Sequence, residues 1–146
     1  MAFFGVFMGN ARARARFEAR CAYLCEPILH FSLDGCVALC HGMWGDAAEP
    51  LPSPHLFLAT AARGAERVSP ETLARLYARY GKHLRACLPS LVSFALYDSR
   101  GGILLLGGTG GCKCYLEQTE EEVWFSSHPH LLRAPVPVDL ARLRAE

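Results

Sequence analysis

Residues 88–98, LPSLVSFALYD, constrain the fold more than any other stretch of the chain. Residues 91–97 are almost wholly apolar, include β-branched and aromatic members, and contain neither proline nor glycine. That run is too short for an independent helix and has the length of a strand buried on both faces. Ser99-Arg100-Gly101-Gly102 follows Asp98 and has the chemistry of a hairpin turn. It leads into a second strand over 103–106. A strand this apolar needs cover on both sides, which helices on one face and a second sheet on the other would supply.

The chain's 146 residues suffice for one domain with one core. With 51% hydrophobic and 20% charged residues, the composition is that of a globular chain, not a disordered one. A formal net charge of +1 implies neither a nucleic-acid nor a membrane partner. Basic residues are nearly all arginine; the only lysines are Lys82 and Lys113. No apolar run approaches the roughly 20 residues that span a bilayer. The opening AFFGVFM is apolar but short, and Arg12, Arg14 and Arg16 follow it instead of preceding it, which is the wrong order for a signal peptide. The expectation is a cytoplasmic protein.

That compartment makes reduced thiols the default for Cys21, Cys25, Cys36, Cys40, Cys87, Cys112 and Cys114. Cys21/Cys25 and Cys36/Cys40 share a spacing and His41 is adjacent, which admits a metal reading. Structural zinc sites use tighter knuckles with turn residues between the ligands, however, and CVALC over 36–40 reads as a strand. The expectation is therefore no metal, with the cysteines serving as small buried hydrophobes. The six histidines form no constellation.

In order, residues 2–8 read as a buried strand, and Asn10 as the cap of a helix over about 11–24. Arg12, Arg16 and Arg20 share one face of that helix, with Glu18 nearby. The stripe could meet an acidic partner, but the simpler reading is a solvated face. Strands over 29–33 and 36–41 are joined by Asp34-Gly35, a hairpin turn. Residues 42–54 read as a loop and 56–60 as a strand. Ser69-Pro70-Glu71 opens a helix whose Leu73, Leu76, Tyr77, Tyr80 and Leu84 form one apolar face, with Gly81 ending its first segment. Residues 107–111 read as a glycine-rich loop, without the Lys-Ser or Lys-Thr of a phosphate-binding loop and without a helix after it. Strands over 113–117 and 123–127 flank an acidic hairpin, 128–133 reads as a helical turn, and 139–144 as the start of another helix. The whole is a layered α+β domain.

Several of these blocks resemble the amino-terminal glutaminase domain of the asparagine synthetase family, a class II glutamine amidotransferase. The family pattern L-Y-x-x-x-G, then L-x-G-x-F-A-F-A-L-Y-D, is similar to Leu76-Tyr77 through Gly81, then LPSLVSFALYD. G-x-K-P-L-Y resembles Gly111-Cys112-Lys113-Cys114-Tyr115-Leu116, and F-A-S-E-x-K-A-L-L resembles Phe125-Ser126-Ser127-His128 through Leu132. The opening M-C-G-I-x-G-I is similar to MAFFGVF, with Gly5 in register. The resemblance is good from Ser69 to Leu131 and thin before it. It implies a shortened four-layer αββα sandwich of two antiparallel sheets, the Ntn-hydrolase fold. Residues 1–134 would form the glutamine amidotransferase type 2-like domain, and 135–146 a linker or the start of a following synthetase domain.

Carried over position by position, the resemblance implies lost chemistry. The family's cysteine nucleophile falls on Ala2, which has none. The glycine beside it falls on Phe3. The Asn-Gly oxyanion hole falls on Ala61 and Ala62, losing the main transition-state donors. The Arg-Asp pair that holds the substrate falls within Gly107-Gly108-Thr109, and the family's arginine after the second hairpin is missing from Cys40-His41-Gly42-Met43. No catalytic residue is assigned; Ala2, Phe3, Ala61, Ala62, Gly108 and Thr109 would line a degenerate substrate pocket. The implied role is support of an ATP-dependent amide-forming synthetase, like that of β-lactam synthetases and lasso-peptide cyclases. ATP and Mg would belong to that partner and no cofactor to this domain. Two alternatives are a module that binds a precursor peptide and a thiol enzyme using Cys36, Cys40 or Cys112 with His41 or His128.

Overall fold

The computed structural model describes residues 3–8, 11–23, 28–32, 34–41, 55–62, 68–89, 91–119 and 122–144. Ala2, Asn10, Cys25, the loop read over 42–54 and the side chains of His41 and Ala62 lie outside the described residues. The elements are β1 (Phe4–Phe7), α1 (Ala11–Cys21), β2 (Ile28–Phe31), β3 (Val37–His41), β4 (Leu56–Ala62), α2 (Pro70–Tyr80), β5 (Val92–Asp98), β6 (Ile103–Gly108), β7 (Cys114–Gln118), β8 (Val123–Ser126), β9 (Val136–Val138) and β10 (Leu140–Arg144). A 3-10 helix, Gly81–Cys87, continues α2, and a short one, Pro129–Leu131, follows β8.

The strands form two antiparallel sheets, ordered β2-β3-β1-β8-β7-β9 and β10-β6-β5-β4. The fold is thus mixed α+β. Every residue of β5 is buried, and successive side chains leave it on opposite faces. Ala95 and Tyr97 join a cluster with Phe3, Leu39 and Phe125 of the other sheet, whereas Val92, Phe94 and Leu96 join one with Leu73 and Leu84 of the α2 region. The double cover expected from the apolar run of 91–97 is therefore present. Helix α1 lays Phe17 and Cys21 on the outer face of the first sheet, against Phe4, Ala38, Cys40 and Trp124. Each large side chain buried in this way contributes about 1.5–3 kcal/mol.

Sequence chemistry explains the junctions. Ser69 caps α2 by accepting a hydrogen bond from the Thr72 amide at 3.1 Å, satisfying a donor the helix itself cannot. Gly81, at φ 56°, ends it. In β1, a side chain at Gly5 would put its Cβ 2.6 Å from the Ala38 carbonyl and against the Phe125 ring, so only glycine lets these strands approach.

Four readings change. Helix α1 ends at Cys21, before residue 24. Tyr80, placed on the apolar face of α2, is 37% exposed. Gly107 and Gly108 belong to β6, so the glycine-rich loop shortens to a turn. Residues 139–144 do not begin a helix: Leu140–Arg144 is a strand paired to β6. Among the described residues, no helix is long and apolar enough to cross a membrane.

Candidate functional site

The described residues that the resemblance singles out converge on one end of the sandwich, where β1 and β5 begin and β4 and β6 finish. Phe3 is fully buried between the sheets, its ring 6.4 Å from that of Phe125. Its amide donates to Ser127 Oγ at 3.0 Å, and its carbonyl accepts from the Ser127 amide and the Ser126 hydroxyl, both at 3.0 Å. The paired serines thus fasten the start of β1 to the end of β8. Ser127 Oγ also lies 3.1 Å from His128 Nδ1. With the serine already engaged by the Phe3 backbone, the pair holds a strand in place.

Ala61 is buried opposite Ser93, and Ala62 pairs with Val92. Thr109, also buried, replaces one backbone ladder bond with its side chain. Its hydroxyl donates to the Pro89 carbonyl at 2.6 Å and accepts from the Val92 amide at 3.1 Å, while its own amide donates to the Val92 carbonyl at 2.8 Å. Gly108 donates to the Asp139 carbonyl at 3.0 Å and accepts from Arg85 Nε at 2.7 Å. A Cβ on Gly108 would overlap the Cys112 carbonyl group. The turn is internally satisfied and leaves no room for a substrate-holding side chain at Gly108.

Among the described residues, the thiols assemble no relocated centre. Cys40 is fully buried and hydrogen-bonded to the buried Cys21 thiol, whose pKa that bond and burial push far up. Cys114 is fully buried, and burial pushes its thiol up to about 12. Both shifts oppose the thiolate that nucleophilic chemistry needs. Cys112 is buried; the Cys36 thiol, partly exposed, lies 4.0 Å from the Asp34 carbonyl within its own turn. Among the described residues, no three His, Cys, Asp or Glu side chains cluster as metal ligands would.

Sequence reading missed two polar anchors. Tyr97, in the β5 interior, donates its hydroxyl to Asp34 at 2.5 Å, joining the β2–β3 turn to the other sheet. Burial opposes ionisation of Asp34, but hydrogen bonds from Tyr97, the Cys36 amide and Ser32 outweigh it and hold the carboxyl below its usual range. Asp98 is similarly lowered: bonds from Arg100 and Tyr77 overcome its burial. The signal was a tyrosine and an aspartate closing an almost wholly apolar run.

The arginine face of α1 is not merely solvated. Arg16 pairs with Glu122, a carboxylate 5% exposed, and Arg20 lies 3.6 Å from Glu117 and 4.2 Å over the Trp124 ring. These side chains line a groove of about 490 Å³ between α1 and the β7–β8 hairpin. No protein-family model matches the chain, and no curated protein matches its sequence.

Proposed function

We propose that the chain is a non-catalytic glutaminase-like domain of the asparagine synthetase family, folded as a shortened four-layer αββα Ntn-hydrolase-like sandwich, which supports an ATP-dependent amide-forming synthetase. The observation that carries this reading is the closed turn at Gly108 and Thr109. Where the family holds a substrate, this chain has backbone packed on backbone. Phe3, buried at the start of β1, occupies the space that the family's glycine leaves beside the nucleophile. Helices against the outer faces of both sheets support the four-layer reading. The partner would adenylate a carboxylate with ATP and Mg and accept an amine other than glutamine-derived ammonia. The unit expected over 1–134 is completed in this reading by β9 and β10, with any linker to a synthetase beyond them.

The test is a tagged pull-down from the native host, with partners identified by mass spectrometry, alongside ammonia release from glutamine by the purified chain. The expected result is near-equal recovery of an ATP-dependent, asparagine-synthetase-like protein and no ammonia release. A soluble monomer that recovers no such protein, or one that releases ammonia, overturns the reading.

A further inference from the structure

The second sheet ends in β10, beyond which no described strand lies. The Gly108 amide donates to the Asp139 carbonyl, so 139 and 108 form a hydrogen-bonded pair. In an antiparallel ladder such pairs alternate with non-bonded ones. The register Leu140↔Gly107, Arg142↔Leu105 and Arg144↔Ile103 therefore consists of non-bonded pairs. The other side of β6 agrees: Thr109 bonds Val92, so Gly107, Leu105 and Ile103 turn their backbone toward β5. It follows that the N–H and C=O groups of Leu140, Arg142 and Arg144 all point away from the sheet.

Their side chains are exposed as well: Ala141 and Leu143 turn toward the core between the sheets, while Leu140 is 44% exposed and both arginines are exposed. No ion pair engages Arg142 or Arg144 among the described residues. The neighbourhood is basic. Arg100 and Arg142 both act on the Tyr77 hydroxyl, and the nearby acid, Asp98, is held by Arg100 and Tyr77. Asp139, at the head of β10, is bonded to Lys113 at 2.7 Å. The edge β9, by contrast, is blunted by Pro137, and β10 carries no proline.

We propose that β10 is a docking edge for an extended acidic peptide, which adds to the second sheet as a fifth strand. Paired residues share a face, so an antiparallel peptide would place carboxylates at alternate positions opposite Arg144 and Arg142, then an apolar side chain opposite Leu140. Charge argues against a second copy centred on this edge: a two-fold through Arg142 sets that arginine directly against itself, which is unfavourable. This inference is independent of the glutaminase-like reading, because β10 lies outside the closed turn.

The test uses the full chain and a fluorescent peptide, Thr-Glu-Thr-Glu-Thr-Leu-Thr with blocked ends, in anisotropy titrations, together with the same peptide carrying lysine for glutamate. The expected result is saturable binding of the acidic peptide that weakens with salt, and none of the lysine peptide. Arg142→Glu with Arg144→Glu is expected to weaken binding of the acidic peptide by about tenfold or more and to gain affinity for the lysine peptide. Arg142→Pro removes only an outward N–H and blocks strand addition, so it should abolish binding at unchanged near-ultraviolet circular dichroism. Should the proline variant misfold, the charge-reversal pair still decides. Equal binding of both peptides, no binding of either, indifference to the charge reversal, or a concentration-dependent dimer that occupies the edge would each overturn the proposal.

Discussion

Leu91 stands at the entry to β5 with φ 65°, alone among the described non-glycine residues in the left-handed region. A Cβ there costs about 1–2 kcal/mol, which burial of the covered part of the Leu91 side chain, 40% exposed, offsets. Leu91→Gly is expected to lower stability by about 0.5–1 kcal/mol, because the lost burial and the added freedom of the unfolded chain together exceed the relief of strain. Urea denaturation checks it; a gain of stability would mean that strain at Leu91 outweighs its packing. Gly108 gives the opposite case. Gly108→Ala must push the Cys112 carbonyl aside, and the expected cost is about 1–3 kcal/mol, read from the same titrations. A neutral outcome would remove the steric argument for a closed site. Sequence alone located these positions through the blocks they belong to. It did not reveal that Phe3 would fill the space between the sheets or that Thr109 would bond Pro89 and Val92, because those contacts join segments distant in sequence.

Helix α1 shows how much an amphipathic pattern conceals. Ala13, Phe17 and Cys21, four residues apart, are buried as such a pattern requires. The flanking arginines read as solvated because their carboxylate partners lie about a hundred positions away, on β7 and just before β8. Arg16–Glu122 has one nearly buried partner, whereas Arg14–Glu18 is about half exposed at both ends. Double-mutant cycles should therefore separate them: about 1 kcal/mol of coupling for Arg16–Glu122 and about 0.3 kcal/mol for Arg14–Glu18. Equal couplings would show that the clamp on the β7–β8 hairpin adds nothing beyond a surface pair. Strand β10 was misread for a related reason. Asp139 resembles a helix cap, and Leu140 and Leu143 have helical spacing, yet Ala141 and Leu143 also alternate as a strand does. Pairing with β6 decides between the two, and a local pattern cannot see β6. β5, apolar on both faces, was legible because nothing but a doubly covered strand accommodates it.

Among the described residues, Tyr97 bonds Asp34 and Ser93 bonds the Lys113 carbonyl across the interface of the two sheets, within an otherwise apolar core, and the whole molecule's response to pH follows from its buried titratable groups. The Asp34 and Asp98 carboxyls are held below their usual range in the fold. Their contribution is present above the unfolded value of about 3.9 and is lost as pH falls through the folded values. Asp34→Asn should lower stability at neutral pH and flatten the acid limb. At the alkaline end the sign reverses. Burial raises Tyr97 well above its ordinary value, with the Asp34 bond adding to it, and pushes Cys114 up to about 12. These groups favour the fold fully below their unfolded values, near 10 for tyrosine and 8.5 for cysteine, and that support declines as pH rises toward the folded values. For Cys114 alone the limiting slope is one proton, about 1.4 kcal/mol per pH unit. Cys114→Ala removes that proton at the cost of a small cavity, so its stability should start lower at pH 7 and fall less steeply between about pH 9 and 11 than the parent's. Urea titrations under reducing conditions at a series of pH values measure both slopes. Parallel slopes would mean that the thiol ionises in the folded state as readily as in the unfolded one, and that this end of the inter-sheet core admits water.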